Sequence, residues 1–294
     1  MSVTVGVVIP THNRAAWVVE SVRSVLDQTR PPDAVVVVDD GSTDDTSAAL
    51  GTFGERIAVL RQSQTGPAAA KNAGCSRMTT DWIVFVDSDD RLVPRALAVL
   101  EDAIERRPEA HLLSFKAAET SADGMTTGRV FGKRSAGTAY STAGLLRYDA
   151  GGCSWFAVRR SAFEAMDGFN ERLRSAEECD FVLRLSAEHR LSAILEPLVL
   201  RRQHPGMLSA DLELNARCWL KILERLRADR PDWVREHRAG FDRSWAKEHL
   251  RLGRALLFSG DDRAEARRAL RVATTHRPFH LRSWVYRARA AILR

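Results

Sequence analysis

The stretch VFVDSDDRL, residues 84–92, ends an apolar run in a group of three carboxylates. The apolar residues 83–86 predict a buried strand, and Asp87, Asp89 and Asp90 follow it at once. Three carboxylates in four positions repel one another, by up to about 1 kcal/mol per close pair even in water. A divalent cation bound between them would offset this repulsion. The alternative is a solvated acidic turn that caps the next helix.

The residues ahead of this acidic loop alternate between strand-like and helix-like segments. Short apolar runs predict four strands, at residues 3–9, 34–38, 56–62 and 81–87. The segments between them have apolar residues at helical spacing, which predicts a helix in each connection. Continuous apolar strands joined by helices are typical of a parallel α/β sheet that is covered on both faces.

Polar loops follow three of the four predicted strands. Their sequences are THNR at 11–14, DDGS at 39–42 and DSDD at 87–90. Because parallel sheets bind ligands beyond the carboxyl ends of their strands, we expect these loops to form one site. A Walker-type P-loop and a G-x-G-x-x-G loop are absent from the sequence, and the EF-hand pattern fails at Arg91.

The composition is that of a globular protein, with 294 residues, 45% hydrophobic and 28% charged. The four cysteines lie far apart and form no C-x-x-C, which indicates reduced thiols rather than disulfides or a zinc site. No apolar stretch approaches the roughly 20 residues of a membrane span, and the N-terminus has no basic leader. The sequence predicts a soluble, cytoplasmic protein.

The charge is distributed unevenly along the chain. Residues 211–294 contain 20 Lys and Arg against 11 Asp and Glu, whereas residues 1–210 contain 24 against 27. From Ala266 to Arg294 there are eight arginines and no acidic residue. This asymmetry predicts two parts with different partners, an α/β domain at 1–210 and a basic helical region at 211–294.

Several segments resemble, in order, the motifs of family 2 glycosyltransferases. They are VVIPTHNR, VVVVDDGSTDDT, GPAAAKNAG, FVDSDD, GGCSWFAVRRSAFEAMDGFNERL, AEECDFVLRL and RRQHPGMLS. The resemblance implies the GT-A fold, a Rossmann-like, mostly parallel sheet flanked by helices, followed here by the all-helical C-terminal region. It also implies a nucleotide-sugar half at 1–92 and an acceptor half at 93–210.

The resemblance assigns roles to the donor loops. Asp40 corresponds to the residue that accepts a hydrogen bond from the base, and Thr11 and His12 to the loop beside base and ribose. Lys71 would approach the diphosphate as a point charge. Helix capping by Asp40, a plain turn at His12 and a solvated Lys71 are the structural alternatives. The implied donor residues are Pro10, Thr11, His12, Arg14, Asp40, Lys71, Asp87, Ser88 and Asp89.

The resemblance also implies a metal site. Asp87 and Asp89 match the family D-x-D motif, with Asp89 as the main ligand of Mn²⁺ or Mg²⁺, while Asp90 caps a helix. His204 matches a histidine near the metal or the diphosphate, although a structural role is an equal alternative. The ion would stabilise, as a Lewis acid, the negative charge that develops on the leaving diphosphate.

The acceptor side needs a base for the hydroxyl proton. The family uses an acidic residue in a Glu-Asp pair, and here the pair is Glu177-Glu178, followed by Asp180. Glu178 is the implied base, with Glu177 and Asp180 as the other candidates, and inversion follows from the family. These acids also favour a helix N-terminus. Trp155 is either an apolar wall for an acceptor sugar or a core residue.

The basic region predicts a helix pair within residues 246–278, which Gly260 divides and Pro278 ends. In the last segment Leu281, Trp284, Val285, Ala288 and Ile292 fall on one helical face. This face either lies on an anionic membrane, which would suit a lipid-linked acceptor, or packs on its own domain. No aromatic-basic motif accompanies the charge, so nucleic acid is not expected as a partner.

Together these features predict a metal-dependent, inverting, non-processive hexosyltransferase of polysaccharide biosynthesis. It would move a sugar from a nucleotide diphosphate sugar, most commonly a UDP-sugar in this family, to a hydroxyl of a glycan, lipid-linked or small-molecule acceptor. The alternatives are a non-catalytic scaffold on the same fold and a sugar-phosphate nucleotidyltransferase. The latter would need a G-x-G-T-R loop after the first strand, which is absent. The predicted location is the cytoplasm, with the inner membrane face as a peripheral site.

Overall fold

The computed structural model describes residues 3–132, 154–260 and 262–292, the last residue as backbone only. These residues form two compact units, one up to His204 and one from Pro205 onward. The last strand of the first unit ends at Arg202 and the first α-helix of the second begins at Leu212. Three cysteines are buried and free, and Cys153 lies outside the described residues.

Nine strands form one sheet in the described part of the chain. They are β1 (Val5–Thr11), β2 (Ala34–Asp40), β3 (Ala58–Gln62), β4 (Trp82–Phe85), β5 (Arg91–Leu92), β6 (Leu112–Thr120), β7 (Thr126–Phe131), β8 (Phe156–Arg159) and β9 (Leu191–Arg202). Their order is β3-β2-β1-β4-β8-β6-β9-β5, and β7 pairs with β6.

The strand directions divide the sheet into two parts. Strands β3, β2, β1 and β4 are parallel neighbours, as the alternating sequence predicted. Beyond them β8 is antiparallel to β4 and β6, β9 is parallel to β6, and β5 is antiparallel to β9. The sheet is therefore mixed, and the parallel part carries the three polar loops at the carboxyl ends of its strands.

Helices cover both faces of the sheet. Those of this unit are α1 (Ala15–Leu26), α2 (Thr46–Gly51), α3 (Pro67–Cys75), α4 (Ala96–Arg106), α5 (Arg160–Ala165) and α6 (Glu177–Leu185). On one face Val22 of α1 and Leu100 of α4 share a buried core with Val7 and Val37 of the sheet. The predicted α/β fold with flanking helices is confirmed.

Helix α3 lies unusually close to the other face of the sheet. A Cβ atom added at Gly74 would stand 2.4 Å from Cγ1 of Val8 and 3.2 Å from Cγ2 of Val38. Only glycine permits this approach. This contact sets the distance of α3 from β1 and β2. It therefore also sets the distance from the sheet of Lys71, which precedes Gly74 by three residues.

An aromatic cluster anchors the start of α6 beside strand β4. The ring of Phe181 in α6 stacks on Phe156 of β8 with centroids 6.0 Å apart, and Phe169 lies 5.1 Å from Phe181. Phe85, the last residue of β4, is 5.0 Å from Phe169. Aromatic pairs at these spacings are favourable beyond their burial. The cluster therefore holds the acids at the start of α6 near the loop that follows β4.

The described residues of the second unit form helices and no strand, as predicted. Its helices are α7 (Leu212–Asp229), α8 (Pro231–Glu236), α9 (Arg238–Ser259), α10 (Arg263–His276) and α11 (Leu281–Ile292). Gly260 ends α9 with a φ of 80°, and the Asp262 carboxylate caps α10 by accepting from the amide of Glu265 at 2.7 Å. No helix in the described residues is long and apolar enough to cross a membrane.

Candidate active site

The loop after β1 is tied to the loop after β2. The Asn13 amide donates to Oγ of Ser42 at 2.9 Å, and the Thr43 amide donates to Oδ1 of Asn13 at 2.7 Å. The His12 ring lies with Nδ1 at 2.9 Å from the Asp40 carbonyl oxygen. Asn13 has a φ of 51°, a left-handed conformation that asparagine tolerates. The sequence analysis did not single out Asn13, which forms two of the hydrogen bonds between the loops.

Asp40 is buried and already occupied by donors from the loop before α3. Its carboxylate accepts from the Thr65 amide at 2.9 Å, the Gly66 amide at 2.8 Å and Nε2 of Gln62 at 2.8 Å. It does not cap α2, whose first amide, that of Thr46, donates to the Asp44 carboxylate at 3.0 Å instead. In the structure Asp40 ties the end of β2 to the start of α3, and its predicted contact with a base remains a prediction.

Two polar atoms at the ends of β1 and β2 are buried without a hydrogen bond. They are Oγ1 of Thr11 and Oδ2 of Asp39. The other oxygen of Asp39 accepts from the Ser42 amide at 2.9 Å, and Nε of Arg61 stands 3.8 Å from Oδ2. Buried polar atoms are seldom left unpaired. These two atoms therefore mark a place where a ligand or a water molecule would add hydrogen bonds.

The carboxylates of the acidic loop converge after β4. One oxygen of each of Asp87, Asp89 and Asp90 lies within 4.8 Å of the others. The Asp87 side chain is 45% exposed, and Asp89 accepts from Nε2 of His204 at 2.9 Å. The Arg14 guanidinium stands 3.5 Å from the same Asp89 oxygen. The structure thus brings together Asp87, Asp89 and His204, the residues that were predicted to hold a metal.

Asp90 plays a different part from the predicted helix cap. Its oxygens accept from the Arg202 amide at 3.0 Å and from Nε1 of Trp155 at 3.4 Å. Helix α4 begins at Ala96 without a side-chain cap. Burial raises the pKa of Asp90 well above its usual value, and the charges of Asp87 and Asp89 raise it further. Asp90 therefore has a structural role, in which it fixes the loop to Arg202 and Trp155.

The donor set of this loop fits a hard divalent cation. Carboxylate oxygens are the protein ligands that Mg²⁺ and Mn²⁺ prefer. After burial, the negative charges of Asp87 and Asp89 are the main causes of the raised pKa of Asp90, and nearby positive charge would offset their effect. An ion at Asp87 and Asp89 would supply that charge, with the His204 ring next to Asp89.

Arg202 supports the acidic loop from beneath and was missed by the sequence analysis. It is 4% exposed. Its side chain donates to Oε2 of Glu20 at 2.6 Å and to the Asp89 carbonyl oxygen at 3.2 Å. The guanidinium also lies 5.7 Å from the Trp17 ring centre. A buried arginine needs such partners. Arg201 and Arg202 are adjacent in the sequence, so the sequence does not tell which of the two is buried.

Lys71 is not a solvated lysine. The side chain is buried, and Nζ donates to Oε1 of Glu177 at 2.8 Å and to Oε1 of Glu178. Nζ also lies 3.8 Å from Oδ1 of Asp87. Burial alone would lower the pKa of Lys71, but the charges of Glu177 and Glu178 outweigh it and raise that pKa well above its usual value. Lys71 thus forms an ion pair with the candidate bases, and its predicted contact with a diphosphate remains a prediction.

The two glutamates share this single ammonium group unequally. Burial raises the pKa of Glu178, and the charge of Glu177 adds to this effect, so that the pKa reaches about 8 despite Lys71. For Glu177 the charge and hydrogen bond of Lys71 outweigh burial and lower the pKa. The pKa values of the two glutamates are thus shifted in opposite directions, and Glu178 is the one that binds a proton more readily.

The third acid of α6 has another partner. Asp180 accepts from Nε of Arg184 at 2.9 Å, one helical turn along. Helix α6 begins at Glu177, and the residue before it, Ala176, has a left-handed φ of 61°. Strained backbone of this kind clusters at functional sites. The left-handed conformation of Ala176 sets the direction of the first turn of α6, which carries both glutamates.

The remaining predicted residues lie around this centre. Trp155 is 8% exposed and belongs to the apolar core, as its core-packing alternative predicted. Its indole nevertheless reaches Asp90, so it borders the acidic loop. Pro10 lies in β1, and Ser88 is buried within the loop.

Comparison with known proteins places the chain in a family. The family model described as glycosyl transferase family 2 matches residues 6–166. An uncharacterized glycosyltransferase of Rickettsia conorii is 41% identical over 88 residues, which are 29% of this chain and 15% of that protein. An uncharacterized glycosyltransferase of Haemophilus influenzae is 27% identical over 212 residues, 71% of each chain. The chain thus spans only a small part of the first of these relatives.

Solved structures share the fold. The crystal structure of S. aureus TarS residues 1–349 superposes with a TM-score of 0.71 at 18% identity, covering 98% of this chain and 88% of that one. The same protein in complex with UDP-GlcNAc gives a TM-score of 0.66 at 16% identity, over 97% and 92%. These likenesses confirm the predicted GT-A fold. Since the family model covers more than half of its residues, the chain belongs to glycosyl transferase family 2.

Proposed function

We propose that this protein transfers a sugar from a nucleotide diphosphate sugar to an acceptor hydroxyl, without processivity and with inversion at the anomeric carbon. The observation that carries the proposal is the 3.8 Å approach of Lys71 Nζ to Asp87. Through Lys71 the acidic loop on the donor side lies beside the pair Glu177 and Glu178. A metal-binding group and a candidate base therefore belong to one site.

UDP is the nucleotide we propose for the donor. A solved structure with this fold was determined with UDP and another with UDP-GlcNAc. In this chain the donor would occupy the carboxyl edge of β1, β2 and β4. The residues proposed to contact it, beside the acidic loop, are Pro10, Thr11, His12, Arg14, Asp40 and Ser88.

A divalent cation, Mn²⁺ or Mg²⁺, would be held by Asp87 and Asp89, with His204 beside them. It would supply Lewis-acid stabilisation of the charge on the leaving diphosphate. Arg202 and Trp155 contribute by fixing Asp90 and the loop backbone. The chain's own part is to present the carboxylates in a fixed geometry, which lowers the cost of ordering the site.

Glu178 is proposed as the general base. Its Oε atom takes the proton of the acceptor hydroxyl, whose oxygen bonds to the anomeric carbon as the bond from that carbon to the phosphate oxygen breaks. A base whose pKa is near the working pH is favourable for this step, and the pKa of Glu178 is raised to about 8. Lys71 positions the carboxylate, while Glu177 stays ionised and balances the ammonium charge.

The acceptor is proposed from chemistry alone, as a hydroxyl of a glycan, a lipid-linked sugar or a small molecule. Cytoplasmic location is likewise a proposal. Neither bears on the donor site, which can be tested first.

Calorimetric titration of UDP, dTDP and GDP, with and without Mn²⁺, tests the donor site. We expect one nucleotide to bind only with the metal, and Asp89→Ala to abolish that binding. Asp102→Ala is the matched control, because Asp102 is 53% exposed on α4 and should leave binding unchanged. Absence of binding by the folded wild-type protein would favour the non-catalytic scaffold instead.

A further inference from the structure

Helix α11 packs on its unit through a face of two small residues and one tyrosine. Ser283 is 2% exposed and Ala290 is 4% exposed. Ala290 and Tyr286 pack with Leu250 of α9 and Leu270 of α10. The helix therefore does pack on its own unit, but through a face other than the apolar one that the sequence identifies.

The apolar face of α11 is left exposed. Leu281, Trp284 and Val285 are 76%, 45% and 56% exposed, and their spacing puts them on one side of the helix. In the turn before it Phe279 is 100% exposed. Nε1 of Trp284 donates to the carbonyl oxygen of Pro278 at 2.6 Å, which holds this turn against the same side. We call these four apolar residues the 279–285 patch. Contiguous exposed patches of this kind mark interaction sites.

Arginines border the patch on both sides. At 3.6 residues per turn, Arg282 and Arg289 fall along one edge of the exposed face and Arg287 along the other. Arg282 and Arg289 are exposed, and the guanidinium of Arg287 lies 5.0 Å from the Trp284 ring centre. No acidic residue occurs from 266 to 294. An apolar strip between cationic borders is the arrangement of a helix that lies in a membrane interface.

We propose that the 279–285 patch docks on an anionic lipid surface, with its apolar side chains among the acyl-chain ends and the bordering arginines at the phosphates. Charge complementarity selects this occupant. A second copy of the chain would bring a second set of arginines against the first with no acid in residues 266–294 to pair them. Arginine stems can lie along the apolar layer while their guanidinium groups reach the phosphates. This proposal does not depend on the donor site.

Co-sedimentation of the full chain with lipid vesicles tests the proposal. Vesicles of phosphatidylcholine alone are compared with vesicles in which about a quarter of the lipid is phosphatidylglycerol, at low and high salt. We expect binding to the anionic vesicles only, weakened by salt. Arg282→Gln should lower the partition coefficient about fivefold, and Leu281→Ser with Val285→Ser should lower it about tenfold or more.

Matched controls separate the patch from general surface effects. Val59 is 45% exposed and Arg106 is 73% exposed, so Val59→Ser and Arg106→Gln should bind vesicles like wild type. All substituted positions are exposed, and circular dichroism with nucleotide titration verifies that the variants are folded. Equal binding by wild type and the Leu281→Ser, Val285→Ser variant would overturn the proposal. So would a dimer, seen by sedimentation velocity, that this variant loses, since the patch would then be covered by a second copy.

Discussion

Two groups of acidic residues lie side by side in the candidate site, and the protein compensates their charge differently. Glu177 and Glu178 have a permanent counter-ion in buried Lys71. The acidic loop has its cations at the edge, with Arg14 at 3.5 Å from Asp89 and Lys71 at 3.8 Å from Asp87. The charge of the pair is compensated by a buried group of the chain itself, whereas the acidic loop is where we propose that a cation from solution binds.

The largest effect should come from breaking the pair at Glu178. Glu178→Gln keeps the size of the side chain and removes the base, so kcat should fall by about 10³-fold, within the range of general-base catalysis. Nucleotide affinity should stay close to wild type. The measurement is release of UDP from the donor that the titration identifies. Exposed Glu188 provides the control, Glu188→Gln, with unchanged turnover expected. A larger loss in Glu177→Gln or Asp180→Asn would move the base to that residue.

Removing the counter-ion should cost stability as well as activity. Lys71→Met leaves two buried carboxylates without their ammonium, and breaking a buried ion pair costs about 3–5 kcal/mol of unfolding free energy. Urea denaturation at pH 7 measures this loss. Exposed Lys221 gives the matched control, Lys221→Met, which should lose less than about 0.5 kcal/mol. Adding Glu177→Gln to Lys71→Met should recover part of the loss, and no recovery would contradict a shared ammonium.

Binding of Mn²⁺ to the acidic loop should stabilise the folded protein. At a Mn²⁺ concentration of about 100 times the dissociation constant, binding to the folded state adds about 2.7 kcal/mol to the unfolding free energy. Thermal melting of the wild-type chain with and without Mn²⁺ measures the shift. Asp89→Asn should abolish it, whereas Glu178→Gln should retain it. A metal shift that survives in Asp89→Asn would place the ion elsewhere.

The pH dependence should distinguish the two groups further. Glu178 must be ionised to act, and its pKa is raised to about 8, so kcat should rise about tenfold per pH unit below 8 and level off above it. In the unfolded chain this group ionises near its ordinary pKa of 4.5. The metal-free wild type should therefore lose stability relative to Glu178→Gln as pH rises from 4.5 to about 8. A flat difference between the two proteins would contradict the raised pKa.

The carboxyl edge of β1, β2 and β4, where we propose that the donor binds, was predictable because the sequence features that indicate it are local. A buried strand followed at once by polar residues places those residues at the edge of a parallel sheet, and this held for Thr11, Asp40 and Asp87. The pairing of Lys71 with Glu177 was not predictable, because sequence spacing gives the helix of each residue but not its partner across the fold. Arg202 was missed for the same reason: its contacts come from the packing of β9 beneath the acidic loop.

The second half of the sheet and the face of α11 show the same limit. The antiparallel placement of β8 between β4 and β6 depends on pairings between distant segments, which periodicity does not contain. For α11 the apolar side was identified correctly, but Ser283, Tyr286 and Ala290 form the packed face. Small side chains let helices approach closely, so the packed face of a helix need not be its most apolar one.

The ion pair between Lys71 and Glu177 also has a consequence for the order of folding. It joins residues 106 positions apart, whereas Asn13 and Thr43, which tie the donor loops, are 30 apart. Closing a longer loop costs more chain entropy, so we expect the donor edge to assemble before Glu177 and Glu178 reach Lys71. A molecule arrested between these two events would hold nucleotide normally and turn over slowly. A preparation with full nucleotide affinity and low turnover would therefore report on the closure of this one long-range contact.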